Sequence, residues 1–331
     1  MKNKRRKIIA EIGSVHDGSI GNALKMIDLA KDCGANVVKF QLHFSSEEMI
    51  DNAASPPYFK SENRKDYFDR ISFTFIQLKK IFEYCKKKKI EFLCSPFSIK
   101  AVDVLNDLGV SAFKIASGEL TNHYMLEKIS KTKKKVYLST GMSSLGEVNM
   151  ALKILKNCKV VLMQCTSMYP CPEEKVGLNI IQFFKKKYDY EVGFSDHYLG
   201  FEAGYAAAAI GANVIEKHIT FSRKMYGSDA QFAMEPKEFK KYVKGIKNIW
   251  KMLDFPVDKN KLTHLQKMKN IFEKGIYFSK DLAKGHTLCI DDIDFKKPSG
   301  DIPASDYKKY LGKKLKKNMK KNQLLKKIIL C

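Results

Sequence analysis

The chain has 331 residues, 44% of them hydrophobic, enough to bury one large core and a small one. Its formal net charge is +24, yet the only arginines are Arg5, Arg6, Arg64, Arg70 and Arg223, and the lysines cluster in polar runs such as 86–89, 185–187 and 313–321. Nucleic-acid readers mix arginine and aromatic residues into their basic patches, so these runs read as solvated faces able to draw in an anionic substrate.

Two further classes are set aside by pattern. No stretch reaches the ~18 apolar residues of a membrane span, and the apolar piece after the basic N-terminus soon meets Glu11, too early for a secretory signal. Eight cysteines without a CxxC pair read as reduced thiols rather than a zinc site. A cytoplasmic protein with no nucleic-acid or membrane partner is expected.

In chain order, apolar β-branched runs occupy 7–13, 36–42, 91–97, 112–117, 136–141, 160–166, 191–197 and 213–219, and amphipathic stretches such as "GNALKMIDLAKDCG" separate them. Continuous apolar strands suit a parallel sheet covered on both faces. Eight βα units over residues 1–255 predict a (β/α)8 TIM barrel. A doubly wound open sheet is the alternative, but no GxGxxG follows the first strand. The periodicity ends with a closing helix near residue 255; 256–267 reads as a linker and 268–331 as a small β-rich domain.

An internal echo supports the repeat. Gly34, Gly109 and Gly211 each precede a strand, and Lys39, Lys114 and Glu216 each stand five positions later. Each glycine suits a left-handed helix cap. Barrel enzymes keep their chemistry at the carboxyl ends of the strands.

Residues two apart on a strand share a face, which pairs Ser195 with His197, Glu216 with His218, and aligns Lys39, Gln41 and His43. His197 and His218 on neighbouring strand ends are candidates for holding one divalent metal in an open site. Lys39 and Lys114, with the turns "ASGE" and "STGM" containing Ser117, Ser139 and Gly141, outline a pocket for phosphate and carboxylate groups. Glu11 and Glu119 suit general acid–base work or sugar contacts; salt bridges to Lys39 or Lys114 are the structural alternative.

The segments "AEIGSVHDGS", "VVKFQLH", "CSPFS", "FKIASGE", "LSTGM", "QCTSMYPCP", "GFSDH" and "IEKHIT", in this order, resemble the sialic acid synthase (N-acetylneuraminate synthase) family. The tail from "DLAKGHTLCIDDI" resembles that family's antifreeze-like (SAF) domain. The resemblance implies condensation of phosphoenolpyruvate with an N-acylmannosamine-type amino sugar, giving a nine-carbon 2-keto-3-deoxy acid and phosphate. Products related to N-acetylneuraminate, namely legionaminic, pseudaminic, KDN or 9-phosphate forms, are the alternatives.

Carried over residue by residue, the resemblance implies phosphoenolpyruvate contacts at Lys39, Lys114, Ser117, Ser139, Gly141 and Ser195. It implies sugar contacts at Glu11, Tyr169, Asp229 and Lys297, and proton handling at Glu119. A divalent metal, Mn2+ foremost with Mg2+ or Co2+ as substitutes, would sit on His197 and His218. The partner implied is a second copy, in a domain-swapped homodimer whose small domains cap each other's barrels. Departures are Val15 for Asn, Gln164 for His, Ile99 for Arg and Lys297 for Arg; a lysine cannot copy a bidentate guanidinium. Readings of another class are a hydrolytic barrel metalloenzyme and a basic surface binder.

Overall fold

A computed structural model describes residues 6–59 and 62–330, which divide into two units, residues 1–255 and 256–331. In the first, eight parallel strands are β1 (Lys7–Gly13), β2 (Val37–Leu42), β3 (Glu91–Pro96), β4 (Ala112–Ile115), β5 (Lys135–Ser139), β6 (Val160–Gln164), β7 (Glu191–Asp196) and β8 (Val214–His218). Their order is β3-β2-β1-β8-β7-β6-β5-β4, with β3 returning beside β4, so the sheet nearly closes on itself. Eight main helices follow the strands: α1 (Ile20–Asp32), α2 (Phe75–Lys88), α3 (Ile99–Leu108), α4 (His123–Lys131), α5 (Leu145–Ile154), α6 (Leu178–Lys187), α7 (Glu202–Ala209) and α8 (Pro236–Asp254). This is the (β/α)8 barrel the periodicity predicts.

Local chemistry starts and stops these elements. Thr74 with Gln77 and Ser144 with Glu147 form capping boxes at the starts of α2 and α5. Gly34, Gly109 and Gly211 all have positive φ, +89°, +81° and +98°, and turn the chain from helix into strand.

Strand alternation builds the site. Ile9, Val37, Leu93, Ala112, Tyr137, Val161, Met163 and Val214 face the barrel axis and fill its floor. Two residues further along five of the same strands stand Glu11, Lys39, Ser95, Lys114 and Ser139 on one face, with Glu216 likewise above Val214. A strand is therefore apolar at its base and polar at its mouth on a single face. The intervening residues point outward into the layer against the helices, where α8 buries Phe239, Tyr242, Val243, Ile246 and Trp250.

The second unit has its own core, around Ile276, Phe278, Leu288, Ile293, Leu315 and Leu325. Strands β9 (Gly275–Phe278) and β10 (Ile293–Lys296) pair antiparallel, and isolated bridges such as Leu282–Met319 and Thr287–Lys314 tie the remaining turns together. A short helix, Gln266–Phe272, precedes β9 and begins inside the segment expected to be a linker. Among the described residues, no helix is long and apolar enough to cross a membrane. Seven cysteines are unbonded thiols, six of them buried; Cys331 lies outside the described residues.

Candidate active site

At the carboxyl ends of the strands a cavity of about 700 Å³ opens. Glu11, Lys39, Lys114, Ser117, Glu119, Ser139, Tyr169, Ser195, His197, His218 and Asp229, eleven of the thirteen expected site residues, line it.

Its base is an ion cluster. Glu216 Oε1 lies 3.2 Å from Lys114 Nζ, 3.3 Å from Lys39 Nζ and 3.2 Å from the Ser195 hydroxyl. Glu11 Oε1 lies 3.0 Å from Lys39 Nζ and accepts the Gln41 amide at 2.7 Å. Of the three residues at equal distance from their glycines, Glu216 thus meets both Lys39 and Lys114. All four charged side chains are no more than 5% exposed. Glu11 Oε2, Glu216 Oε2 and Ser139 Oγ are buried without a hydrogen-bond partner among the described residues. Buried polar atoms left open in this way are costly, and a polar ligand would satisfy them.

The electrostatics follow from burial and neighbours. Burial lifts the Glu11 carboxyl to about 6; Lys39 pulls it down and Glu216 pushes it up. Burial also works against charge on Glu216, but Lys114 and Lys39 prevail and hold its carboxyl at about 2. For Lys39, burial is outweighed by the two carboxylates, which raise its pKa. Lys114 is lowered by burial, with the Lys39 ammonium adding to the effect against Glu216. Burial also raises Glu119, whose carboxylate accepts from the Asn122 amide at 3.0 Å.

The two imidazoles stand above this base with ring centres 5.8 Å apart. His197 Nδ1 donates to the Thr166 carbonyl at 2.8 Å, and its Nε2 lies 4.0 Å from Cys165 Sγ. Burial holds His218 down at about 4, and its buried Nδ1 is unpartnered among the described residues. Two such rings fit the requirement for an open-sided divalent cation site. No group of three or more His, Cys, Asp or Glu forms a closed metal cage among the described residues. Cys165 Sγ lies 3.7 Å from His197 Nδ1; burial opposes charge on both, yet each draws the other toward its charged form, thiol down and imidazole up.

Around the rim, Asp229 accepts from the Ser14 backbone N–H at 2.8 Å and the Ser14 hydroxyl at 2.9 Å. Gly13, at φ +53°, makes room: a Cβ there would sit 2.2 Å from Asp229 Oδ2. Tyr169 packs 4.1 Å from the His197 ring. At Gly141 a Cβ would lie 2.7 Å from Ser117 Oγ, and the Gly141 N–H donates to that hydroxyl at 3.0 Å.

A barrel enzyme, with ammonium groups, hydroxyls and paired imidazoles gathered at its mouth, is what this fold and site define. The chain belongs to the NeuB family, whose family model matches residues 26–277, and a SAF domain model matches residues 273–327. It is 37% identical to the N,N'-diacetyllegionaminic acid synthase of Campylobacter jejuni, over 97% of this chain and 99% of that protein. Against the N-acetylneuraminate-9-phosphate synthase of Homo sapiens it is 32% identical, covering 93% of this chain and 88% of that one. A crystal structure of N-acetylneuraminic acid (sialic acid) synthetase from Leptospira borgpetersenii, in complex with citrate, superposes with a TM-score of 0.72 at 33% identity, covering 81% of this chain and 91% of that one.

Lys297 lies in the second unit, exposed, with its ammonium 5.2 Å from the centre of the Phe272 ring. Not every polar strand ending belongs to the mouth. Asp196 and Lys217 face away from the axis, pair at 3.1 Å, and Tyr242 donates to Asp196 at 2.6 Å. Gln164 donates to the Val176 carbonyl at 3.1 Å, and Val15 is buried in the core. Sequence reasoning missed the central part played by Glu216, although its spacing from Gly211 marked it. It missed Cys165 as well, whose only signal was its place just past the end of β6. The segment 54–59, which also lines the cavity, carries no periodic signal at all.

Proposed function

We propose that the protein joins phosphoenolpyruvate to the open-chain aldehyde of an N-acylated amino hexose, giving a nine-carbon 2-keto-3-deoxy acid and inorganic phosphate. C3 of the enol attacks the aldehyde carbon, water adds at C2, and C–O cleavage expels phosphate. The observation that carries this reading is the buried Lys39–Lys114 pair, flanked by the open Ser139 hydroxyl, beside two imidazoles in one cavity.

A divalent metal, Mn2+ or in its place Mg2+ or Co2+, would be held by His197 and His218 and supply Lewis-acid polarisation of the acceptor carbonyl. The chain's own groups do the rest. Lys39 and Lys114 hold the carboxylate and phosphate of the enol, with Ser117, Ser139 and Ser195 as hydroxyl donors and Gly141 keeping the approach clear. Glu11, with Oε2 open, receives a proton there or orients a sugar hydroxyl; Glu119 is the second proton-handling group. Tyr169 and Asp229 face the sugar. The reading includes a homodimer in which the small unit of one copy, with its exposed Lys297, closes the other's mouth and excludes water.

The test is phosphate release together with mass-spectrometric detection of the condensed acid. Both are expected only when enol, an N-acyl hexosamine and a divalent metal are present together. Release of phosphate in excess EDTA, or without any sugar, contradicts the proposal. A truncation that keeps residues 1–255 is expected to fold and lose most turnover; full activity removes the capping role.

A further inference from the structure

One face of β2 continues past the ammonium of Lys39 into two side chains that the proposed chemistry leaves idle, Gln41 and His43. His43 is 6% exposed and clamped between two rings, with centroids 3.9 Å from Phe68 and 4.3 Å from Phe97. Its backbone carbonyl accepts from the Ser72 hydroxyl at 3.1 Å. Both ring nitrogens meet oxygen: Nδ1 lies 2.8 Å from Glu48 Oε2 and Nε2 lies 3.1 Å from Gln41 Oε1. A carboxylate cannot donate, so Nδ1 donates to Glu48. Glu48 is itself anchored, since its other oxygen accepts the Phe44 N–H.

The Gln41 amide bridges this ring and Glu11. Its oxygen faces His43 Nε2, and its nitrogen lies 2.7 Å from Glu11 Oε1, where a carboxylate needs a donor. Turning the amide over would set its oxygen against the Glu11 carboxylate. Lys39 Nζ reaches the same Oε1 at 3.0 Å. One oxygen of Glu11 is therefore saturated by two donors, while Oε2 has none among the described residues.

We propose that His43 is a positioning residue which, anchored by Glu48 and stacked between Phe68 and Phe97, sets the direction of the Gln41 amide and so leaves Oε2 of Glu11 as the single oxygen available to the substrates. This rests on the reading of the cavity as a synthase site. Carboxylates steered by a fixed partner keep a productive geometry that small displacements forfeit.

His43→Phe keeps the ring stack and removes both hydrogen bonds. Its kcat is expected to fall about ten- to a hundredfold with the KM for phosphoenolpyruvate within about twofold. Gln41→Ala should cost a similar factor, and the double variant no more than the worse single one, since both break the same chain. Glu48→Gln, which retains the imidazole, should show the same kcat loss in smaller degree, and serves if His43→Phe does not fold. Full activity in the folded single variants, or losses that multiply in the double variant, overturn the proposal. A neutron structure of the wild-type protein tests it without turnover: amide deuterons of Gln41 are expected toward Glu11, and a reversed amide sinks it. If the wild-type protein makes no product while the amide stands as described, the synthase reading fails and the steering chain survives.

Discussion

The two ends of the barrel handle charge in opposite ways. At the amino-terminal rim Lys7 pairs with Glu91 and Lys135 with Glu191, each side chain 19–29% exposed. These are one-to-one pairs reached by water, the kind worth ~0–1 kcal/mol. At the mouth two ammoniums share one oxygen of Glu216, none of the four charged side chains of the cluster is more than 5% exposed, and three oxygens stay open among the described residues. Removing one partner from a buried cluster of this sort costs several kcal/mol, and the open carboxylate oxygens call for hydrogen-bond donors that a bound ligand can bring. Water-reached pairs sit at one end, and a buried, incompletely satisfied cluster at the other.

Substitution can break that contrast. Lys114→Met should lower turnover by a hundredfold or more and shift the melting temperature by several degrees. Lys135→Met should leave turnover within about twofold and the melting point almost still. Equal losses for the two would remove the distinction. Next in size, His218→Ala should abolish turnover while the folded state persists, and EDTA should do the same reversibly, with Mn2+, Mg2+ or Co2+ restoring it; an intact rate in the variant removes that imidazole from the site, and one in EDTA removes the metal.

The pH profile sharpens the comparison. On the proposed reading Glu11 acts while ionised, and burial raises its carboxyl to about 6. Below that pH it is protonated, so kcat/KM should rise with pH through about 6 and level off above it. Glu11→Gln should be slow and lack this limb; a limb that persists unchanged assigns it to another group. The smallest effects concern glycine. Gly109→Ala meets no atom within 4 Å of the new Cβ and carries only the strain of a positive φ, about 1 kcal/mol, with turnover kept. Gly13→Ala adds a collision with Asp229 and should impair turnover as well.

Most of the fold was legible because its signals are local. Eight apolar runs and left-handed glycines fix strands to within a residue or two; alternation pairs Ser195 with His197, and the interval from the glycines lines up Lys39 with Lys114. What escaped depends on contacts between distant segments. That Glu11 and Glu216 would each keep one free oxygen follows from which neighbours reach across from other strands, and no spacing reveals it. The same holds for Asp196 and Lys217, polar residues at strand ends that satisfy each other behind the sheet. Residues 54–59 join the cavity wall through irregular backbone, so no period announces them.

The equal interval from Gly34, Gly109 and Gly211 to their charged residues has a bearing on chain length. Deleting one residue between Gly211 and Val214 would move Lys217 into the seat of Glu216, crowding three ammoniums together, whereas an insertion would seat Ile215 there. Libraries aimed at new acceptors should therefore vary the loops beyond the strand ends freely in size while holding those three spacers to their native count.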